Sequence, residues 1–186
     1  GDDQKQHLEL CRDIAQKFNN DFEAPEFLRA PIPLIQKEFS RIMSLKDGKN
    51  KMSKSDPSDL SRINLRDGKD QILNKIKKAK TDTMPMPSEQ KNLSERPEVE
   101  NLLGIYSSLK NQSLEKSINE FSGKNFSEFK EKLSEIVVEK IQPISSEIKK
   151  LLDDPRYLDD ILLDGSNKAD KIASKKIKEI KKLVGF

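Results

Sequence analysis

The residues best suited to chemistry lie in one polar segment, Lys51-Met52-Ser53-Lys54-Ser55-Asp56-Pro57. Its two lysines are three positions apart, so on a mobile loop both amines can converge on one polyphosphate. The hydroxyls of Ser53 and Ser55, together with backbone amides, can donate further hydrogen bonds to phosphate oxygens. Such a loop can close on a pentacoordinate phosphate and then release pyrophosphate. The alternative is a solvated linker that happens to be rich in lysine and serine.

The elements upstream of this segment are few. Residues 42–45 form a short strand candidate, which the Asp47-Gly48 turn should end. The proline-rich residues 23–37 should be extended or looped, and residues 5–18 form an amphipathic helix. The apolar positions that predict the buried face of this helix are Leu8, Cys11, Ile14, Ala15 and Phe18. Because one strand cannot make a sheet, we expect this part to be the C-terminal portion of a larger α/β domain, and the chain to be a fragment.

Downstream of the polar segment nearly every stretch has helical period. The predicted helices cover residues 67–80, 97–109, 113–121, 126–152, 155–163 and 166–184. Pro143 should kink the fourth helix, and Asp164-Gly165 should separate the last two. The aromatic residues that we expect in the core of this bundle, rather than as stacking platforms for bases, are Tyr106, Phe121, Phe126 and Phe129.

Composition excludes several classes of protein. The chain has 186 residues, 36% of them charged and 33% hydrophobic, with a formal net charge of only +3. This charge predicts no chain-wide attraction to nucleic acid, although local lysine clusters within 75–80 and 175–182 could bind it or form solvated helix faces. The single cysteine excludes a disulfide framework and is typical of a reducing cytosol. Because no apolar run of about 18 residues occurs, no membrane span is predicted.

The segment 51–55 is identical to the KMSKS signature of the class I aminoacyl-tRNA synthetases. Residues 1–10 resemble the GEDQKQHLEL segment of the tryptophanyl type found in bacteria and organelles, with Asp2 in place of the commoner Glu. Residues 41–45 resemble the strand that leads to the signature loop, and 96–103 a helix of the anticodon-binding domain. The last three residues also resemble the family's C-terminus. The tyrosyl type is the next most similar.

The resemblance implies a mainly α chain with three parts. Residues 1–57 would be the C-terminal part of a Rossmann-type α/β nucleotide-binding domain, and 58–165 an all-helical anticodon-binding bundle. Residues 166–186 would be a terminal helix that packs back on the catalytic domain. The family's other ATP signature, a HIGH-like motif, and most of the tryptophan pocket do not occur in the chain. We therefore expect roughly the C-terminal half of such an enzyme, inactive alone.

The resemblance also implies the reaction and its partners. Tryptophan and ATP with Mg²⁺ would give tryptophanyl-adenylate and pyrophosphate, and tryptophan would then pass to tRNA(Trp). ATP with Mg²⁺ would be a substrate, with no prosthetic group and no metal ligands in the chain. The family works as a homodimer in the cytoplasm. The alternatives are a tyrosyl-type fragment and a stand-alone helical RNA-binding module without catalysis, which the coding sequence upstream of Gly1 would distinguish.

Carried over position by position, the resemblance assigns two catalytic lysines and a set of ATP-binding residues. Lys51 and Lys54 would hold the β- and γ-phosphates and stabilise the departing pyrophosphate. Asp3, which also suits an N-cap, would bond a ribose hydroxyl. Ile42 and Met52 would lie against the adenine, although both could be ordinary apolar packing. The full ATP-binding set is Gly1, Asp2, Asp3, Gln4, Ile42, Lys51, Met52, Ser53, Lys54 and Ser55.

Overall fold

The computed structural model describes residues 4–34 and 41–186 and is mainly helical, as predicted. The α-helices are α1 (Lys5–Asp21), α2 (Lys69–Lys78), α3 (Pro97–Lys110), α4 (Leu114–Phe121), α5 (Phe126–Asp153) and α6 (Pro155–Val184). The strands are β1 (Met43–Ser44) and β2 (Asp47–Lys51), and short 3-10 turns cover Asp59–Ser61 and Gln90–Leu93. None of these helices is long and apolar enough to cross a membrane.

The chain divides into two compact units, which are described separately. The first contains Gly1–Gln36 and Leu151–Phe186, and the second contains Lys37–Lys150. The second unit therefore holds both the polar signature segment and most of the helical bundle. The predicted limits at 57/58 and 165/166 concern domains of a larger protein and stay predictions.

Helix α3 lies at the centre of the second unit. Pro97 occupies its first turn, where the missing backbone N–H costs no helical hydrogen bond, and Asn111 ends it in the left-handed conformation with φ 53°. The residues of α3 that are buried occur around most of its circumference and are Val99, Asn101, Leu102, Leu103, Gly104, Tyr106 and Ser107. A helix that is buried on so many sides needs neighbours around its whole circumference. These neighbours are β2, α4 and the 3-10 turn Gln90–Leu93.

An aromatic cluster joins α3, α4 and α5. The ring centroids of Tyr106 and Phe121 are 5.0 Å apart and those of Phe121 and Phe129 are 4.9 Å apart, both edge to face. All three side chains are fully buried, and Phe126 is half-buried against the same core. Edge-to-face pairs of this kind add to the stabilisation from buried area. The prediction that these aromatics form the bundle core is confirmed.

The segment between α2 and α3 is held by a buried arginine. The Arg96 guanidinium donates to both carboxylate oxygens of Asp82, at 2.7 and 2.8 Å, and to the carbonyls of Pro85 at 3.0 Å and Met84 at 3.4 Å. Burial of Asp82 opposes its ionisation, but the Arg96 hydrogen bonds, the Met84 amide and the positive charge of Arg96 together outweigh this and hold the pKa of the carboxyl below its ordinary value of 3.8. The ion pair thus closes a 14-residue separation along the chain.

The predicted strand is one half of a hairpin, and the expected Asp47-Gly48 turn is wrong. Met43 pairs with Lys51 and Ser44 with Asp47 in an antiparallel register, so Asp47 and Gly48 begin β2, and residues 45 and 46 make the turn. The Asp47 carboxylate accepts the Lys49 amide at 3.0 Å, which stabilises the start of the strand. Gly48 serves a close approach of backbones rather than a turn, as described below.

In the lysine cluster predicted within 75–80, Lys77, Lys78 and Lys80 are exposed, but Lys75 is only 3% exposed and does not contribute to a basic surface. It lies on the buried face of α2 with Ile72, Ile76 and Ala79. Its amine pairs with Asp67 at 2.6 Å and Asp59 at 2.7 Å. A buried ammonium requires such partners, because leaving water without them is costly.

In the first unit, the loop after α1 folds back on that helix. The Asn19 side chain bonds both backbone groups of Leu28 at 2.9 Å, and Arg12 donates to the Pro31 carbonyl at 3.1 Å. The Lys176 amine of α6 lies 3.5 Å from the centre of the Phe27 ring. Cation–π contacts of this geometry are favourable.

Two expectations for α1 are wrong. The N-cap position falls at Gln4, without a side-chain cap, rather than at Asp3, which lies outside the described residues. Of the predicted apolar stripe only Ala15 is buried, whereas Cys11 is exposed and Ile14 is 58% exposed. The periodicity located the helix correctly, but the loop after α1 and the helix α6 leave much of this stripe uncovered within the unit.

The last two predicted helices are one, α6, which runs unbroken through Asp164 and Gly165. Gly165 does not have a positive φ, and the Lys168 amine pairs with the Asp164 carboxylate at 2.6 Å across the expected break. A single glycine inside a helix costs about 1 kcal/mol relative to alanine, which a helix of this length can bear. Helix α6 instead ends at Gly185, whose φ is 93°. Helix α5 likewise continues through Pro143.

The continuity of α6 can be tested with Gly165→Ala. A Cβ at this position would meet no atom within 4 Å. Alanine should therefore stabilise the chain by about 0.5–1 kcal/mol, since it removes the entropic cost of glycine in a helix. The measurement is the free energy of unfolding from urea denaturation. A helix break at this glycine in a left-handed conformation would instead make the alanine variant less stable.

Acid sensitivity should reflect the Asp82–Arg96 pair. Because the folded-state pKa of Asp82 lies below its unfolded value, its ionised form contributes stability above that unfolded value, and the contribution is lost as pH falls through the folded pKa. The free energy of unfolding should therefore decrease as the pH is lowered below about 4. In Asp82→Asn this decrease should be shallower, and the free energy of unfolding at neutral pH should be lower by about 2 kcal/mol. Asp160→Asn, at an exposed site on α6, is the control and should change neither quantity.

Candidate active-site loop

The signature loop, residues 51–55, starts where the hairpin ends. Lys51 is the last residue of β2 and is exposed. The Met52 amide then donates to the Ile42 carbonyl at 3.1 Å, which extends the hairpin pairing by one more bond. Both side chains are half-buried, and Met52 packs against the core of the second unit. The two residues assigned to the adenine are thus backbone neighbours, one just before β1 and the other just after β2.

The tip of the loop is a tight turn. The Asp56 amide donates to the Ser53 carbonyl at 3.4 Å, which leaves Lys54 and Ser55 as the exposed central residues. The hydroxyls of Ser53 and Ser55 are 2.8 Å apart, and the Ser55 amide donates to the Ser53 hydroxyl at 3.3 Å. Across residues 4–34 and 41–186, the amine of Lys54 has no hydrogen-bond or ion-pair partner.

This arrangement suits an anionic ligand. An ammonium group at a turn, with two hydroxyls and turn amides beside it, provides donors for several oxygens of one phosphate chain. The Asp56 carboxylate, which could compete for Lys54, accepts the Ser58 amide at 2.7 Å instead. The tip therefore offers the positive charge of Lys54 without a neutralising carboxylate from the part of the chain that the structure describes.

Arg62 anchors the C-terminal end of the loop. One guanidinium nitrogen donates to the Asp56 carbonyl at 2.9 Å and to the Ser58 carbonyl at 3.4 Å, and another lies 3.3 Å from the Asp59 carboxylate. The planar fork of arginine can hold several acceptors in a fixed geometry, which lysine cannot do. Arg62 thus fixes the backbone directly after Ser55.

The anchor at Arg62 is backed by the buried lysine of α2. Lys75 binds Asp59 and Asp67, while Asp67 also accepts the Asn64 amide at 2.8 Å. The Lys75 hydrogen bond, followed by that from the Asn64 side chain, holds the pKa of Asp59 below its ordinary value. Residues 59–67 are therefore fastened to α2 by charge as well as by packing.

The hairpin and the segment after the loop are bound to each other. The Leu45 amide donates to the Ser61 carbonyl at 2.9 Å, and the Leu45 carbonyl accepts the Lys80 amide at 2.8 Å. The turn of the hairpin thus contacts the chain on both sides of α2. As a result the two ends of the signature loop are held by one frame, which consists of the hairpin, residues 59–67 and α2. The tip of the loop remains exposed.

Helix α3 touches this frame at Gly48. A Cβ on Gly48 would lie 2.5 Å from the carbonyl carbon and 2.6 Å from the carbonyl oxygen of Pro97, so only glycine fits here. The Glu98 carboxylate pairs with the Lys80 amine at 2.8 Å and accepts the Gly48 amide. The Lys80 hydrogen bond is the main reason why the pKa of Glu98 lies below its ordinary value.

The remaining predicted site residues belong to the N-terminal end of the chain. Gly1, Asp2 and Asp3 lie outside the described residues, and Gln4 is exposed at the start of α1 in the first unit. The roles of Arg62 and Gly48 were not predicted from the sequence. One signal was present for Arg62, since the chain has only seven arginines and this one closely follows the polar segment. Gly48 was noticed, but as a turn glycine.

A family model described as "tRNA synthetases class I (W and Y)" matches residues 1–142. Among curated proteins, the tryptophan–tRNA ligase of Caulobacter vibrioides is 51% identical over the whole chain, which covers 54% of that protein. The tryptophan–tRNA ligase of Rickettsia felis is also 51% identical, with 56% of its length covered. The chain therefore spans about half the length of the curated relatives that it matches.

Solved structures agree with these matches. The tryptophanyl-tRNA synthetase of Mycoplasma pneumoniae aligns with the whole chain at a TM-score of 0.81 and 30% identity, over 57% of that structure. The tryptophanyl-tRNA synthetase of Campylobacter jejuni, solved with ADP and tryptophan, aligns at a TM-score of 0.69 and 27% identity, over 56% of its chain. The fold of the described chain is thus found in larger proteins of known structure.

The contact at Gly48 can be tested with Gly48→Ala. The new methyl group would overlap the Pro97 backbone, so either the hairpin or α3 must move, and we expect a loss of about 2–3 kcal/mol in the free energy of unfolding. The measurement is urea denaturation, with Gly165→Ala as the matched control that should stabilise the chain. A Gly48→Ala variant as stable as the wild-type chain would contradict the close approach of α3 and β2.

Proposed function

The chain belongs to the class I tRNA synthetases of the tryptophan and tyrosine type, and on that basis we propose that it forms the signature-loop portion of a tryptophan–tRNA ligase. The proposed reaction joins tryptophan to ATP, gives tryptophanyl-adenylate and pyrophosphate, and then transfers tryptophan to tRNA(Trp). The names of the relatives favour tryptophan over tyrosine. The observation that carries the proposal is Lys54, which is exposed and has no ion-pair partner among the described residues, on a loop whose ends are anchored.

In the proposed activation step, the carboxylate of tryptophan attacks the α-phosphorus of ATP. The bond from this phosphorus to the bridging oxygen breaks, and pyrophosphate leaves with the electron pair. Negative charge therefore grows on the β- and γ-phosphates, which Lys51 and Lys54 would hold. Donors placed where charge develops lower the barrier more than they strengthen ground-state binding. Mg²⁺ would arrive with ATP and share in neutralising the phosphates.

The serine pair would add hydrogen bonds to the same oxygens. Ser53 and Ser55 are 2.8 Å apart through their hydroxyls, so both can turn toward one phosphate group. Because the tip bonds mainly within itself, it can close on the phosphates and open again without breaking the frame. Such movement allows pyrophosphate release, which a rigid site would slow.

The other substrate contacts are proposed from the family resemblance. Ile42 and Met52, joined by their backbone hydrogen bond, would form the wall against the adenine. Asp3 would bond a ribose hydroxyl, with Gly1, Asp2 and Gln4 lining the same turn. The helical bundle would bind the anticodon arm of tRNA(Trp). A homodimer in the cytoplasm is the proposed working state.

The proposal can be tested with Lys54→Ala in a hybrid enzyme. The hybrid joins the N-terminal part of the Caulobacter vibrioides relative, which the match does not cover, to this chain. We expect the substitution to lower kcat for tryptophan-dependent ATP–pyrophosphate exchange by about 10²- to 10³-fold, because a donor to the developing charge is removed. The KM for tryptophan should stay nearly constant, since Lys54 would not contact that substrate.

The matched control is Lys49→Ala, which removes an exposed lysine from β2 outside the signature. Its exchange rate should remain within about twofold of the unsubstituted hybrid, because surface charges away from the site contribute little. The chain alone should show no exchange. An inactive unsubstituted hybrid, or equal losses in kcat and tryptophan affinity for Lys54→Ala, would argue against the proposed role.

A further inference from the structure

One buried side chain of α3 has no role in the reaction described so far. Asn101 is 6% exposed, and its neighbours on the helix, Val99, Leu102 and Leu103, are fully buried apolar residues. A polar amide in such surroundings is unfavourable unless its hydrogen bonds are satisfied. An apolar residue would fit the pattern of the helix better, so the amide must be explained by what it binds.

Asn101 binds the backbone of β1 through both of its polar groups. Its side-chain nitrogen donates to the Met43 carbonyl at 2.9 Å, and its side-chain oxygen accepts the Met43 amide at 2.9 Å. These two bonds are the ones that a neighbouring antiparallel strand would exchange with Met43. An amide side chain supplies the donor and the acceptor on two separate atoms, as this pair of bonds requires.

The residue held by Asn101 is directly opposite the first signature lysine. Met43 pairs with Lys51 in the hairpin register, and the next bond in the ladder joins Ile42 to Met52. Asn101 therefore fixes the strand against which the start of the loop is aligned. The contact spans 58 residues of sequence.

The hairpin needs such support because it is very small. Strand β1 has two residues, β2 has five, and the described sheet contains no third strand. Isolated two-stranded hairpins are marginally stable in water. In effect the Asn101 side chain takes the place of a third strand beside Met43. The Gly48 contact with the first turn of α3 lies on the same side of the helix, about one turn earlier.

From this geometry we infer that Asn101 is a positioning residue for the signature loop. It holds β1, and through β1 it determines the positions of Lys51 and Met52 relative to bound ATP. The inference rests on the proposed activation reaction, which it deepens by adding a residue outside the signature. Misplacing a reacting group by about 1 Å can cost 10²-fold in rate, so a positioning residue can matter without touching substrate.

The test uses Asn101→Leu in the hybrid enzyme, because leucine has the same number and branching of side-chain heavy atoms as asparagine and removes both hydrogen bonds. We expect kcat for ATP–pyrophosphate exchange to fall about 10- to 100-fold, while the KM for tryptophan changes less than about twofold. The matched control is Ser107→Ala. Ser107 is also buried on α3, and its hydroxyl bonds to Leu103 and Ser117. Alanine removes these bonds but no hydrogen bond to the hairpin. The kcat of this control should remain within about twofold of the parent, because only α3–α4 packing is affected.

Amide hydrogen exchange on the 186-residue chain separates positioning from general loss of folding. In Asn101→Leu the amides of Met43 and Met52 should exchange at least about tenfold faster, while the Leu103 amide inside α3 keeps its protection. Equal protection of the Met43 amide in the wild-type chain and in Asn101→Leu would overturn the inference. Loss of protection throughout α3 would overturn it too, since Asn101 would then serve folding in general.

The outcomes for the two proposals are distinct. If Lys54→Ala abolishes exchange and Asn101→Leu keeps normal kcat, the positioning role is wrong and the proposed function stands. If Lys54→Ala exchanges normally, the proposed role of Lys54 is wrong, and if the unsubstituted hybrid shows no exchange, the proposed function itself is wrong. A Ser107→Ala variant that loses as much kcat as Asn101→Leu would also remove the special role of Asn101, since any weakening of α3 would then have the same effect.

Discussion

The contact between the first turns of α3 and the hairpin constrains the rest of the second unit. At Gly48 the two backbones are too close for any side chain, and one turn later Asn101 supplies hydrogen bonds to Met43. Because the hairpin is too small to be stable alone, its place is set by the helix. The signature loop begins at the end of this hairpin, so α3 also determines where the loop starts.

Charge is distributed in a way that the weak net charge conceals. The buried cations, Lys75 and Arg96, are each bound by carboxylates and hold chain segments together. Lys54, in contrast, lies at an exposed turn without a partner in the described residues. Paired cations serve structure, since burial makes pairing necessary, while an unpaired exposed cation remains available for an anion. The function proposed for the loop depends on this difference.

The loop combines fixed ends with a self-contained tip. Arg62 and the Leu45–Ser61 bond hold the chain on either side, whereas Ser53 and Ser55 bond to each other. This arrangement lets the tip move without disturbing the buried core. Adenylyl transfer of the kind proposed requires donors that close on developing charge and then release pyrophosphate. The family match and the local geometry therefore support the same proposal independently.

Local patterns in the sequence were sufficient to predict several features of the protein. The signature 51–55, the helices that became α3, α4 and α5, and the aromatic core around Phe121 follow from neighbouring residues, because periodicity and caps act over one or two turns. The continuity of α6 was missed because a glycine disfavours a helix without ending it.

Only the tertiary structure decided the roles of Gly48, Asn101 and Lys75. The residue type at each position is explained by a partner that is distant in sequence. Gly48 faces Pro97, Asn101 binds Met43, and Lys75 binds Asp67 and Asp59. Local sequence determines which conformations a segment favours. Which distant backbone it meets is decided by packing, and that is why the anchors of the loop became visible only in the folded chain.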